Sequence, residues 1–161
     1  AAQSQTATEG SSGSSTGTST ETPQITAPST QSAVGMFIWP TTAYGISSYW
    51  GYREHPIFGT TKFHSGVDIN VGAGQPIYAA AGGTVVTAVY SSSYGNYVMI
   101  DHGNGYYTLY AHMSQFIVSS GQYVSQGTVI GYVGSTGWAT GPHLHFEVRV
   151  NGTTVDPLGF F

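Results

Sequence analysis

The chain has no cysteine, so neither a disulfide framework nor a thiolate metal site is open to it. Charge is almost as scarce: only 6% of its 161 residues are charged, Lys and Arg together number 3, and the formal net charge is -4. Nucleic acids and anionic membrane surfaces are bound through basic patches, so neither is expected as a partner. No apolar run approaches the length that spans a bilayer, which excludes membrane insertion by this segment. The first residues lack the charged-then-apolar pattern of a secretory leader. A sustained 3.6-residue apolar period of helical length is also missing.

What the chain does have is glycine, at 23 residues, and tyrosine, at 12, a mixture that suits short strands and tight turns. Its first part, residues 1–35, is dominated by Ser, Thr, Gly, Ala and Gln, and Ile25 is the one large aliphatic residue up to position 33. Such a stretch cannot bury enough surface to offset its ordering entropy. It is expected to be a disordered tether, stiffer at its proline-containing end, that joins the rest to an upstream anchor. From Met36 to Phe161 the composition changes. Runs such as "GTVVTAVY", "NYVMIDH", "GYYTLYAHM" and "HLHFEVRV" alternate with Gly, Ser and Asn clusters. This predicts one all-β domain. Asn104-Gly105 and Asn151-Gly152 are tight-turn signals. A faint echo links "AGQPIYAAAGGTVVTAV" (73–89) to "SGQYVSQGTVIGYVG" (120–134), which implies a pseudo-symmetric pairing of two copies.

Chemistry concentrates in three places. In "GPHLHFEVRV", strand alternation puts His143, His145 and Glu147 on one face and Leu144, Phe146 and Val148 on the other. In "HSGVD", His64 and Asp68 would stand too far apart on a straight strand, but Gly66 permits a bend that lets them converge. In "YTLYAHM", alternation puts Thr108, Tyr110 and His112 on one face, with Leu109, Ala111 and Met113 towards the core. His64, Asp68 and one of the paired histidines would supply the three protein ligands of a catalytic zinc site, whose fourth position stays open for water. Two imidazoles would then remain unligated beside the metal, suited to proton transfer near neutral pH.

These segments, "GYREHPIFGTTKFHSGVDI" (51–69), "YAHM" (110–113) and "GPHLHFEV" (141–148), resemble the lysostaphin-type (LytM-like) zinc metallopeptidases over about residues 45–158. The resemblance implies antiparallel sheets in a duplicated-hybrid-motif, barrel-sandwich-like arrangement, with a catalytic groove between loops. It implies that His64, Asp68 and His145 bind one Zn2+ and that His112 and His143 form the catalytic pair. The implied activity is endopeptidase cleavage of bacterial peptidoglycan peptides, by a monomer in an extracellular or cell-envelope location (secreted, cell wall or periplasm). The R-x-H-P-x-x-G lead-in favours stem-peptide or direct cross-link bonds over glycine bridges. Relatives that have lost metal residues serve as non-catalytic, wall-binding or amidase-activating modules, but all five positions are intact here.

Other residues carry narrower expectations. Arg53 is expected to contact a substrate carboxylate or to position its loop, and His55 to shape that loop. Asn96, read as a loop residue, and Trp138 are expected to touch the substrate. Glu147 is read mainly as a partner of Arg149. Asp101 and His102 are read as surface residues, and Trp39 and Trp50 as core. A biotinyl or lipoyl carrier domain would need a lysine in an exposed hairpin, and the one lysine, Lys62, lies just before the metal motif.

Overall fold

The computed structural model describes residues 35–54 and 57–161. The expected tether, apart from Gly35, and His55 lie outside the described residues. Twelve short strands follow one another: β1 (Ile46–Ser48), β2 (Gly51–Glu54), β3 (Thr61–His64), β4 (Val67–Ile69), β5 (Pro76–Tyr78), β6 (Gly83–Ser91), β7 (Gly95–Gly103), β8 (Tyr106–Phe116), β9 (Tyr123–Val124), β10 (Val129–Val133), β11 (Leu144–Val150) and β12 (Thr153–Val155). A 3₁₀ turn, Pro157–Phe160, comes last. All the strand pairings are antiparallel. The all-β antiparallel class is the one the sequence predicts. No helix among the described residues is long and apolar enough to cross a membrane.

The main sheet runs β1-β4-β11-β8-β7-β6-β9, with β10 joining β8 to β5 and β12 flanking β11. β2 and β3 form a separate two-stranded hairpin. The sequence echo has a physical counterpart. Its first copy supplies β5 and β6, and its second supplies β9 and β10. β5 pairs with β10 while β6 pairs with β9, so each copy's first strand is completed by the other copy's second. One face of the central strands carries Val67, Ile69, Val98, Ile100, Tyr110, Leu144, Phe146 and Val148, all fully buried in a single core. Trp39 and Trp50 pack against that core while remaining partly exposed.

Both Asn-Gly turns form as the sequence predicts. Asn104 and Gly105 have φ of 53° and 82°, and Asn151 and Gly152 have 51° and 84°. Two successive positive φ values are what a two-residue hairpin turn of matching twist requires. Asn151 N–H donates to the Gly105 carbonyl at 2.9 Å, so the two turns are also tied to each other.

Two expectations are corrected. His102 is not a surface residue. It is half-buried, with Nδ1 2.8 Å from the Gly82 carbonyl and Nε2 2.7 Å from Thr108 Oγ1, and burial lowers its pKa from the ordinary value. The faces of β8 are also reversed before residue 112, although Met113 lies in the core as expected. Tyr110 lies in the core against Phe146, while Leu109 and Ala111 stand opposite Glu147 and His145. The strand carries a bulge: a step of two residues in β7, from Asn96 to Val98, is matched by a step of three in β8, from Met113 back to Tyr110. An extra residue breaks the two-residue period, so side chains beyond it change face.

Candidate functional site

Register does most of the assembly. β4 pairs with β11 so that Asp68 stands directly opposite His145. His64 ends β3, and the chain steps through Ser65 and Gly66 into β4. That step runs close against β11. A Cβ on Gly66 would lie 2.3 Å from the Phe146 carbonyl oxygen and 2.9 Å from Glu147 Cγ. Neither the ladder carbonyl nor the buried carboxylate stem can move aside cheaply. Gly66→Ala is therefore expected to cost ~1–3 kcal/mol of stability, read as a lower denaturant midpoint at constant slope.

The three side chains meet. His145 Nδ1 is 2.9 Å and His64 Nε2 is 3.3 Å from Asp68 Oδ1. One donor atom from each residue lies within 4.8 Å of the others, so the trio can hold a metal ion. The tautomers agree with that use. His64 Nδ1 sits 2.9 Å from the Tyr49 carbonyl, which can only accept, so Nδ1 carries the proton and Nε2 presents its lone pair to the cluster. His145 Nε2 donates to Glu147 Oε1 at 2.9 Å and turns Nδ1 inward. Burial alone would raise the Asp68 carboxyl, but the hydrogen bonds and charges of His145 and His64 outweigh it and hold the group well below the carboxylate range. Burial would lower His145, yet Asp68 and Glu147 raise it to about 9. A site that stabilises positive charge this strongly suits a divalent cation.

Glu147 does more than pair with Arg149. Its side chain is fully buried, and Oε1 accepts from Ser65 Oγ at 2.6 Å, Tyr94 OH at 2.7 Å and His145 Nε2. Oε2 accepts from Arg149 Nε at 3.0 Å and Nη2 at 2.8 Å. Burial would raise this carboxyl, but the hydrogen bonds from His145 and Ser65 bring it to about 2. Carboxylates behind a ligating imidazole fix its ring and raise its basicity. Ser65 and Tyr94 were not picked out from the sequence. Ser65 lies inside the H-x-x-x-D motif and could have been weighed with it, whereas nothing distinguishes Tyr94 from the other tyrosines.

His112 and His143 stand beside the trio, their ring centroids 4.8 Å apart, with His143 Nε2 3.7 Å from Asp68 Oδ1. His112 is in the bulge, at φ 60°. A non-glycine residue held there stores strain and needs surroundings that enforce it. Three hydrogen bonds do so. His112 N–H donates to the Tyr94 carbonyl at 2.7 Å, its own carbonyl accepts from Gly134 N–H at 3.1 Å, and its Nδ1–H donates to the Thr136 carbonyl at 2.7 Å. His143 Nδ1–H donates to the Gly141 carbonyl at 2.9 Å. Each ring therefore keeps an unprotonated Nε2. Burial, with the charges of His143 and His145, lowers the pKa of His112, which keeps it a base near neutral pH.

The remaining expected residues part company. Arg53 is exposed and donates from Nη1 to Ser48 Oγ, which lies 3.2 Å from His64 Nδ1. Asn96 is in β7 rather than in a loop, and its amide donates to the Met113 and Ser114 carbonyls at 3.2 Å. That amide holds the end of β8 and is not among the groups meeting at the trio. Trp138 is 79% exposed, two residues beyond Thr136, in a loop closed by the Gly134–His143 bridge. Its N–H is anchored to the Ser93 carbonyl at 3.0 Å.

Known proteins are similar to this chain. The chain is 48% identical over 124 residues to the DD-carboxypeptidase/endopeptidase Mpg of Neisseria meningitidis, a match that covers 77% of this chain and 29% of that protein. It is 46% identical over 105 residues to the peptidoglycan DD-endopeptidase ShyC of Vibrio cholerae, covering 65% of this chain and 24% of that one. The chain thus spans less than a third of the length of these relatives. Among solved structures, a zinc containing peptidase from Vibrio cholerae superposes with a TM-score of 0.69 at 36% identity, covering 76% of this chain and 38% of that one. The sequence pattern of one family runs over residues 62–157, from the strand that ends in His64, through the His112 bulge, to the strand that holds His145 and Glu147. The chain belongs to peptidase family M23.

Proposed function

We propose that the chain is a zinc-dependent endopeptidase that hydrolyses peptide bonds in bacterial peptidoglycan. In this reading one Zn2+ per chain is held by His64, Asp68 and His145, with His112 and His143 as the catalytic pair. The observation that carries it is the orientation of the four imidazoles. Each has one nitrogen tied outward to an acceptor and turns the other towards Asp68 or the neighbouring ring. Two of those inward nitrogens belong to the candidate metal-holding trio, and two do not. Zinc, when bound, supplies a Lewis acid for the scissile carbonyl and lowers the pKa of its water towards ~7.

The chain's own residues do the rest. His112 Nε2, neutral through burial and held rigidly by its bulge, accepts a proton from the attacking water. His112 then passes that proton on to the departing amine, and His143, 4.8 Å away ring to ring, stands beside it to share in the transfer. Glu147 keeps the His145 ring in its tautomer. Trp138, two residues beyond the Thr136 that holds His112, offers an exposed aromatic surface for the peptide. Every group in this scheme comes from one chain, which supports action as a monomer. Similarity to ShyC, a peptidoglycan DD-endopeptidase, supports the substrate and a place of action in the cell envelope or outside the cell.

Digestion of purified sacculi tests the proposal. The zinc-loaded protein is expected to release new amino groups, chelator treatment to stop the release, and added zinc to restore it. Fragment analysis then identifies the bond. Release that is absent, or indifferent to the chelator, rejects the reading.

A further inference from the structure

The chain has only three residues that are cationic at all working pH values, Arg53, Lys62 and Arg149. Arg149 is neutralised by the buried Glu147 carboxylate. The other two are placed together: in the β2–β3 hairpin Arg53 pairs directly with Lys62. Like charges directly opposite on a sheet destabilise it, and their Cβ atoms stand only about 4.5–5.5 Å apart. No carboxylate among the described residues relieves the pair. Glu54 pairs with Thr61 on the opposite face, Asp68 is taken by His64 and His145, Asp101 accepts from Gly103 N–H, and Asp156 accepts from Leu158 N–H. Both cations are exposed.

Their position gives the arrangement a use. Lys62 is two residues before His64 in β3, so the two side chains leave the same face. Across the hairpin, Arg53 reaches Ser48 Oγ, which touches His64 Nδ1, so its guanidinium stands two hydrogen bonds from an imidazole of the trio. One of its nitrogens is used in that contact, and the residue as a whole is exposed. A sparsely charged protein has therefore set an unpaired double positive charge on the edge of its metal-holding site. We infer that Arg53 and Lys62 form a carboxylate-binding subsite that selects peptides bearing a free carboxylate on the residue beside the scissile bond. Uncharged linkages such as glycine bridges gain nothing from it. The inference rests on the peptidase reading for its scissile bond but not for the binding itself. An ionised carboxylate held by guanidinium and ammonium makes charge-assisted hydrogen bonds that its amide cannot match.

The experiment uses the zinc-loaded full chain and two synthetic peptides with D-residues on either side of the test bond. They are identical except that the residue after that bond ends in a free carboxylate in one and in a carboxamide in the other. A second pair, with the bond replaced by a non-hydrolysable methylene-amine, is titrated by calorimetry. The parent is expected to bind the carboxylate isostere about tenfold more tightly than the carboxamide, a difference of about 1.4 kcal/mol, and to show the same ratio in kcat/KM. Lys62→Gln should bring both ratios towards one, and Lys62→Arg should restore them. If the parent binds selectively but cleaves neither peptide, the peptidase reading fails and the subsite stands. Cleavage of both peptides at similar kcat/KM, or a parental ratio kept by Lys62→Gln, overturns the subsite and leaves the peptidase reading intact. With neither preference nor turnover, both fall.

Discussion

A His112→Asn protein is expected to keep its zinc at the parental stoichiometry and to lose about 10²–10⁴ in kcat, the range that a general base supplies. Asparagine is the informative replacement because position 112 sits at φ 60°, a conformation that asparagine tolerates far better than alanine. The backbone bonds to Tyr94 and Gly134 do not involve the ring, so the bulge should survive the exchange. KM should change little, because the imidazole acts on the water rather than on the peptide. Metal content by atomic absorption, together with kcat, decides the point. Full zinc with full turnover would move the base role to His143, the other ring with a bare Nε2. Lost zinc would mean that His112 belongs to the metal shell.

Removing the Glu147 carboxylate is expected to do two separable kinds of damage. Glu147→Ala leaves the half-buried Arg149 without its partner and strips His145, Ser65 and Tyr94 of a shared acceptor. Breaking a buried pair by deleting one member typically costs ~3–5 kcal/mol, which denaturant unfolding would register. The loosened His145 ring should also weaken zinc binding by about 10–100-fold in a competition titration. Adding Arg149→Met separates the two effects. The double variant no longer leaves a half-buried cation unpaired, so stability should recover in part while zinc affinity stays low. Recovery of both would show that Glu147 acts on the metal only by keeping the fold intact.

The sequence made different parts of this molecule legible for different reasons. The Asn-Gly turns were readable because two consecutive positive φ values leave few residue choices, and Asn104-Gly105 and Asn151-Gly152 meet them. The alternation of β11 was readable because it is unbroken from Leu144 to Val148. The alternation of β8 was misread because a bulge leaves no mark in a strand made of Tyr, Thr, Leu and Ala. It shows only when the register with β7 is known. The same limit hid Tyr94. Its hydroxyl reaches Glu147 and its carbonyl holds His112, both across the fold, so no local spacing could announce it. Asn96 was misplaced because its neighbours, Tyr94-Gly95 and Tyr97, look like a turn, and Gly95 does adopt positive φ, but the chain enters β7 at that glycine. His64 and Asp68 were readable only as a conditional, since their meeting depends on the step at Gly66.

The crosswise strand exchange of the two echoing segments also bears on how the protein is made. Among the described residues β5 pairs with β10 and with no other strand, so a growing chain must have been extended as far as Tyr132 before Pro76–Tyr78 can complete its strand pairing. His145 is synthesised later still, long after His64 and Asp68. An unfinished polypeptide on the ribosome therefore has only two of the three residues of the candidate metal site. Under the proposed function, hydrolytic power would arrive with the last strands to emerge, and the incomplete domain would be inert.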